Sequence, residues 1–271
     1  MEEEMYDVPP VKKIPKQQIA IIAVVAVLVI GVYFSGVWKT PFEVSTPKIQ
    51  MLIIGQPSDG LLTVLNQDNS LVDYTVKSAS QMDLSPEQKL EDYDTVVLDQ
   101  HTGSTQYEHS VSRQLGEALQ NYVRTGGKLV VVMDSGIYRS GVEGTISSDV
   151  ANWEANFSDL IPVKCETGVD EIGSCQKALF TSGRIKRVDL SHKIMEGIEA
   201  APLNPTMPPY DLKNFDVKET GDVIAIIEEE GSSKTFPAIV EKKKLLGKVV
   251  YFNYDPAITP GIWQNTLEYL R

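Results

Sequence analysis

The residues that could do chemistry are few and fall into three short segments. Asp99 and His101 share the stretch Asp99-Gln-His-Thr-Gly103, Asp134 and Ser135 follow an apolar run, and Asp255 closes Asn253-Tyr254-Asp255-Pro256. A serine served by an imidazole that a carboxylate orients is the pattern of nucleophilic hydrolysis. In that reading Ser135 attacks, His101 takes its proton and Asp255 holds the ring. Asp99, His101, Asp134 and Asp255 also carry donor types that bind divalent ions. They lack paired ligand spacing, so no metal site is assigned. Each residue has a plainer reading as well: an Asp at a strand end caps the next turn, and Ser-Gly is itself a turn. His109, ahead of a helix, and His192, in a turn beside Ser191, are read as structural.

Cys165 and Cys175 bracket a polar stretch with two glycines that can fold back on itself. In an oxidising compartment a disulfide closing that loop would contribute about 3 kcal/mol. The alternatives are two unrelated thiols, or a metal pair for which no nearby His supplies further ligands. Asn156-Phe157-Ser158 is an N-glycosylation sequon.

The elements that must position these side chains alternate in type. Apolar runs at Lys48–Ile54, Thr95–Leu98 and Lys128–Met133 predict buried strands, with a further strand at Asp73–Ala79. Ser58 caps a predicted helix to about Asn66, Ser85-Pro86-Glu87-Gln88 starts another, and Ser110–Thr125 has helical spacing ended by Gly126-Gly127. Residues 135–150 read as a long Gly/Ser loop and Ala151–Leu160 as a short helix. Ile161–Cys165 and Ala178–Leu190 are strand-like, Pro202–Pro209 is a loop, and Asp222–Glu230 with Thr235–Glu241 predicts a hairpin. Lys242-Lys243-Lys244 is placed in a solvated turn, Lys248–Asn253 is the last strand, and Gly261–Arg271 the last helix. Continuous apolar strands between helices predict a parallel sheet covered on both faces, and ligands in such sheets bind at the strand ends. Asp99, His101, Asp134, Ser135, Asn253 and Asp255 would meet there.

Before this domain lies Ile19–Val37, free of charge and apolar on every side. Its length of about 28 Å as a helix matches a bilayer core, so a retained anchor is expected. The run is long for a cleaved signal peptide and no small-residue cleavage site follows it; a pilin-type leader would need a small residue before its cut. Lys12, Lys13 and Lys16 precede the span and only Lys39 follows closely, which places the N-terminus in the cytoplasm. The organisation expected is a cytoplasmic tail at 1–18, a transmembrane helix at 19–37, a linker at 38–47 and an extracytoplasmic domain at 48–271. The net charge of −12 repels phosphate backbones and excludes nucleic acid as a partner.

Four segments in order carry a family resemblance: Tyr93-Asp-Thr-Val-Val-Leu98, Tyr122-Val-Arg-Thr-Gly-Gly-Lys-Leu-Val-Val131, Leu190-Ser-His192 to Gly197-Ile198, and Gly247-Lys-Val-Val-Tyr-Phe-Asn-Tyr-Asp-Pro256. Residues 48–271 thereby resemble the class I glutamine-amidotransferase-like superfamily, in its ThuA-like and prokaryotic membrane-associated branch. The resemblance implies a flavodoxin-like parallel sheet flanked by helices. It also implies lost catalysis: Asp134 stands where the nucleophilic Cys belongs, and Asn253–Pro256 lacks the His of the late strand. The function expected is a non-catalytic binding or assembly module of a cell-envelope complex, with membrane lipid and envelope proteins as partners and no cofactor. The alternatives are a tethered hydrolase using Ser135 or a metal, and an extracytoplasmic small-ligand sensor.

Overall fold

Runs of β-branched residues that bury both faces build the frame. The computed structural model describes residues 47–140, 152–165, 175 and 177–271. The tail at 1–18, the apolar span at 19–37 and the linker up to Thr46 lie outside them, as does the 135–150 loop beyond Ser140. Among the described residues no helix is long and apolar enough to cross a membrane.

The strands are β1 (Ile49–Gly55), β2 (Val72–Lys77), β3 (Thr95–Asp99), β4 (Ser110–Val111), β5 (Lys128–Val132), β6 (Tyr138–Arg139), β7 (Val163–Cys165), β8 (Leu179–Arg187), β9 (Ala200–Ala201), β10 (Tyr210–Asn214), β11 (Val217–Glu219), β12 (Asp222–Glu229), β13 (Thr235–Lys244) and β14 (Gly247–Phe252). Ten form one mixed sheet. Its parallel half runs β2-β1-β3-β5-β14, and β13-β12-β8-β10 continue it antiparallel, with β9 on β8. The expected parallel sheet is present as the first half, and the antiparallel strands extend it beyond the expected hairpin. Short hairpin connections after β12 and β13 reverse the chain, and a tight reversal can only make an antiparallel pair.

The helices are α1 (Asp59–Gln67), α2 (Ala79–Met82), α3 (Pro86–Leu90), α4 (Arg113–Arg124), α5 (Glu154–Phe157) and α6 (Pro260–Leu270). Local chemistry sets their starts. Ser58 Oγ accepts from Leu61 N at 3.1 Å, Ser112 Oγ from Leu115 N at 3.1 Å, and Ser78 with Gln81 makes a capping box. The helix expected from Ser110 begins at Arg113, because Ser110-Val111 pairs with Tyr138-Arg139 instead. Leu115, Ala118, Leu119 and Val123 form the buried stripe of α4. Gly116 lets α5 close on α4, since a Cβ there would lie 2.4 Å from Asn156 O.

Two further expectations change. The three lysines at 242–244 belong to β13, and the turn is the pair Leu245-Leu246. Strands β10 and β11, unmarked in the sequence reading, follow the Pro-rich loop. The disulfide is formed: Cys165 and Cys175 are bonded with Cα atoms 5.4 Å apart. Replacing both cysteines by Ser should lower the unfolding free energy by about 3 kcal/mol, from the loop-closure entropy of a ten-residue separation. Urea titration of the oxidised protein against the variant measures it, and an unchanged midpoint would contradict it.

Candidate functional site

The carboxyl ends of the parallel strands deliver the candidate residues to one pole of the sheet. Asp99 ends β3, Met133 to Ser135 follow β5, and Asn253 to Asp255 follow β14. Met133 adopts a left-handed conformation (φ 54°), which turns the chain sharply out of β5.

Three of the six expected residues meet. His101 Nδ1 lies 2.5 Å from Asp99 Oδ1, and its Nε2 lies 3.6 Å from Asp255 Oδ2. Asp99 is fully buried and His101 is 8% exposed, so the imidazole is clamped between two acids away from solvent. Burial alone would lower its pKa; hydrogen bonding to Asp255 and Asp99, with their charges, outweighs that and pushes it up to about 10. Burial likewise raises Asp255, but the His101 hydrogen bond wins and holds its carboxyl below the usual range. Burial pushes the Asp99 carboxyl up against the opposing pull of His101. Asp255 also caps the short 3₁₀ turn Pro256–Ile258 through Ala257 N at 2.9 Å.

Asp134 does not join this group. It pairs with His109, which the sequence reading set aside as structural, at 3.1 Å between Oδ2 and Nδ1. His109 Nε2 meets Gly103 O at 3.0 Å, and a carbonyl can only accept. That nitrogen therefore carries the ring proton. Burial opposes the charge, but Asp134 raises the His109 pKa overall.

Ser135 and Asn253 are fasteners. Ser135 is fully buried; its Oγ donates to Val132 O at 2.5 Å and accepts from Gln100 N at 2.7 Å. With both partners on the backbone, the hydroxyl has no base, and the Ser135 hydrolase reading loses its nucleophile. Asn253 Oδ1 accepts from Phe215 N and Tyr251 OH while Nδ2 donates to Phe215 O and Pro237 O, which fills its capacity. The sequon fails for the same kind of reason. Asn156 is 3% exposed, and its Nδ2 donates to Gly136 O and Tyr138 O, so no sugar can be attached to the folded chain there. Among the described residues no group of three or more His, Cys, Asp or Glu side chains is arranged to hold a metal ion.

The sequence reading missed Gln100 and Glu108. Gln100 Nε2 donates to Ser110 O and its Oε1 accepts from Gly136 N, tying the β3 and β5 loops together. Glu108 accepts from the backbone and hydroxyls of Ser104 and Thr105, which hold its carboxyl down at about 2. Both line a cavity of about 270 Å³ with Gly55, Gln56, Ser78, Asp83 and Tyr107. It opens where connections from β1 and β3 leave in opposite directions, the usual ligand crevice of such sheets. Two carboxylate oxygens at this pole, Asp99 Oδ2 and Asp134 Oδ1, are buried with no hydrogen-bond partner in the protein. A larger cavity of about 520 Å³ lies at the opposite pole, away from this chemistry.

No family model matches the chain, and no curated protein matches it. Among solved structures, a β-galactosidase from Rahnella sp. R3 is similar with a TM-score of 0.50 and 12% identity, over 83% of this chain and 31% of its own. A β-galactosidase from Bacillus circulans sp. alkalophilus has a TM-score of 0.50 and 13% identity over 81% and 30%. A GMP synthase component from Thermoplasma acidophilum gives 0.43 and 9% over 83% and 95%, too slight to carry an argument. The chain thus spans about a third of the length of these galactosidases, and at such identities the likeness shows the fold alone. The resemblance to the glutamine-amidotransferase-like superfamily and its ThuA-like branch is corrected accordingly. Its motifs were short strand and turn patterns that many α/β sheets share, no family model upholds it, and the neighbours at 0.50 are galactosidases.

The His101 clamp makes a pH prediction. A pKa raised from 6.5 to about 10 on folding contributes stability that is complete below pH 6.5 and is lost as pH rises through 10. His101→Ala should therefore cost about 3 kcal/mol near pH 6, where two acids are left unpaired, and progressively less toward pH 10. Equilibrium unfolding of both proteins across that window tests it; a pH-independent difference would refute the clamp.

Proposed function

We propose that this chain is a non-catalytic binding module, tethered by residues 19–37 and held outside the cytoplasm as part of a cell-envelope assembly. The parallel order β2-β1-β3-β5-β14 supports a flavodoxin-like reading of the fold, since it corresponds to the 2-1-3-4-5 order of that class. The observation that carries the non-catalytic reading is the double clamp on His101. An imidazole protonated at neutral pH and shielded on both nitrogens is no general base. The disulfide supports an oxidising compartment, and so the extracytoplasmic placement. Protein partners in the envelope remain the leading occupants.

A second reading, a small-ligand sensor, is favoured by the strand-end cavity and the two unpartnered carboxylate oxygens beside the same pole. The lining has amides, hydroxyls and two acids but no cationic side chain, so it suits a neutral or positively charged polar molecule and disfavours anions.

Three measurements bear on the proposal. Ser135→Ala should lower stability by about 1–2 kcal/mol, because the buried Gln100 N–H loses its acceptor. The variant and the parent should be equally inert toward p-nitrophenyl acetate; turnover abolished by the substitution would end the non-catalytic reading. Protease added to intact cells should digest the domain without lysis, and digestion only after lysis would reverse the topology.

A further inference from the structure

The amino ends of the parallel strands form the opposite pole, and there the chain breaks two local rules at once. The connection from β13 to β14 is a two-residue turn, with Lys244 paired to Gly247 across it. Such turns call for left-handed residues and favour Asn-Gly. Here they are Leu245, at φ 52°, and Leu246, which are 83% and 80% exposed. Neither turn chemistry nor solvation in water explains two leucines at this tip.

The second broken rule is electrostatic. Lys243 of β13 stands directly opposite Lys248 of β14, which stands directly opposite Lys128 of β5. Like charges in register repel, yet three lysines make a row across three neighbouring strands. Lys242 and Lys244 flank the tip on the other face, tied to Asp159. The groups facing the row are few: Glu241 lies 3.8 Å from Lys243 but is buried, Lys248 covers the Tyr269 ring, and Lys128 donates to Arg271 O. Acidic residues at the same pole, Glu87, Glu91 and Asp94, line a cavity that Lys128, at the far end of the row from the hairpin, shares.

A third observation concerns where the described domain begins. Arg271 donates to Pro47 O at 3.1 Å and its own carbonyl accepts from Lys128, so Pro47 is tied to the Lys128 end of the row. The start of β14 is closely packed: a Cβ on Gly247 would lie 2.1 Å from Val123 O and 2.3 Å from Gly127 O, so the base of the tip is seated against the end of α4.

We propose that the β13–β14 tip, with Leu245-Leu246 ringed by lysines, docks on the surface of an anionic lipid bilayer. The leucines enter the headgroup–acyl boundary and the ammonium groups lie at the phosphate level, as in interfacial helices with an apolar edge and a basic collar. This rests on the tether reading, because Pro47, through which residues 19–37 connect to the domain, lies at this pole. Tethering alone leaves the domain's orientation open, and the lysine-leucine tip sets it.

The experiment uses the full chain with vesicles of phosphatidylcholine alone or with phosphatidylglycerol. Flotation after carbonate washing reports the tether, and amide exchange at Leu245 and Leu246 reports the face. Both lipids should float the chain, while only the anionic vesicles should slow exchange at the tip, by about tenfold or more. Leu245→Asn/Leu246→Gly gives the turn its preferred residues, so it should fold at least as stably and lose that protection. Lys242→Gln/Lys243→Gln/Lys244→Gln should weaken it by about fivefold per lysine. A chain that floats only on anionic vesicles and is released by salt would refute the tether and uphold the face. Flotation on both lipids with equally fast exchange, or full protection in the Asn-Gly variant, would refute the face and uphold the tether. No flotation at all would refute both.

Discussion

Parallel register across β2-β1-β3-β5-β14 is the constraint from which the rest follows. All but the edge strand β2 are largely buried on both faces, with every residue of β3 buried and four of five in β5. A strand sealed above and below leaves polar residues only two places to go, its ends. Register then fixes which ends are neighbours: Gly55 lies opposite Asp99, Asp99 opposite Val132, and Val132 opposite Phe252. Three separate loops are thereby delivered side by side at strand spacing, about 4.8 Å per step. Glycine is required at 55, because its backbone is left-handed (φ 125°) and a Cβ would overlap Asp99 O at 2.1 Å.

The polar residues gathered at the carboxyl pole have become the means of closing it. Each buried imidazole is inserted between a carboxylate and a second acceptor, so the loops after β3, β5 and β14 are tied by charge as well as by hydrogen bonds. Burying such ions is costly, and their gain lies in holding one arrangement of the loops rather than in raw stability. Asn253 acts similarly without charge, replacing missing backbone partners for Phe215 and Pro237. Residue types that suggest catalysis in a sequence are also the types best able to fasten neighbouring loops, and only their partners separate the two roles.

That is why the fold was more legible than the site. Apolar runs such as Thr95–Leu98 and Lys128–Met133 announce buried strands wherever they occur, because periodicity is a local property. The grouping of Asp99, His101 and Asp255 followed from the strand-end rule. The clamp on both ring nitrogens did not, since it depends on side-chain aim across the sheet. Asn156 carries a valid sequon, but nothing nearby in sequence reveals that Gly136 and Tyr138 carbonyls consume its amide. The tip at Leu245-Leu246 was misplaced onto the preceding lysines for a physical reason: a turn made of two leucines emits none of the Gly, Asn or Pro signals that mark turns.

The two poles are far enough apart to be electrically independent. Strands of five to seven residues separate them by about 20 Å, more than twice the screening length of about 8 Å in physiological salt. A net charge of −12 therefore does not decide how any one surface behaves near another charged body. What decides it is the charge within one screening length, and around the β13–β14 tip Lys242, Lys243, Lys244 and Lys248 outnumber Asp159 and the buried Glu241. If the tip meets lipid as proposed, repulsion of the acidic remainder would orient the domain as much as attraction at the tip, and the carboxyl pole with its cavity would face away from the bilayer.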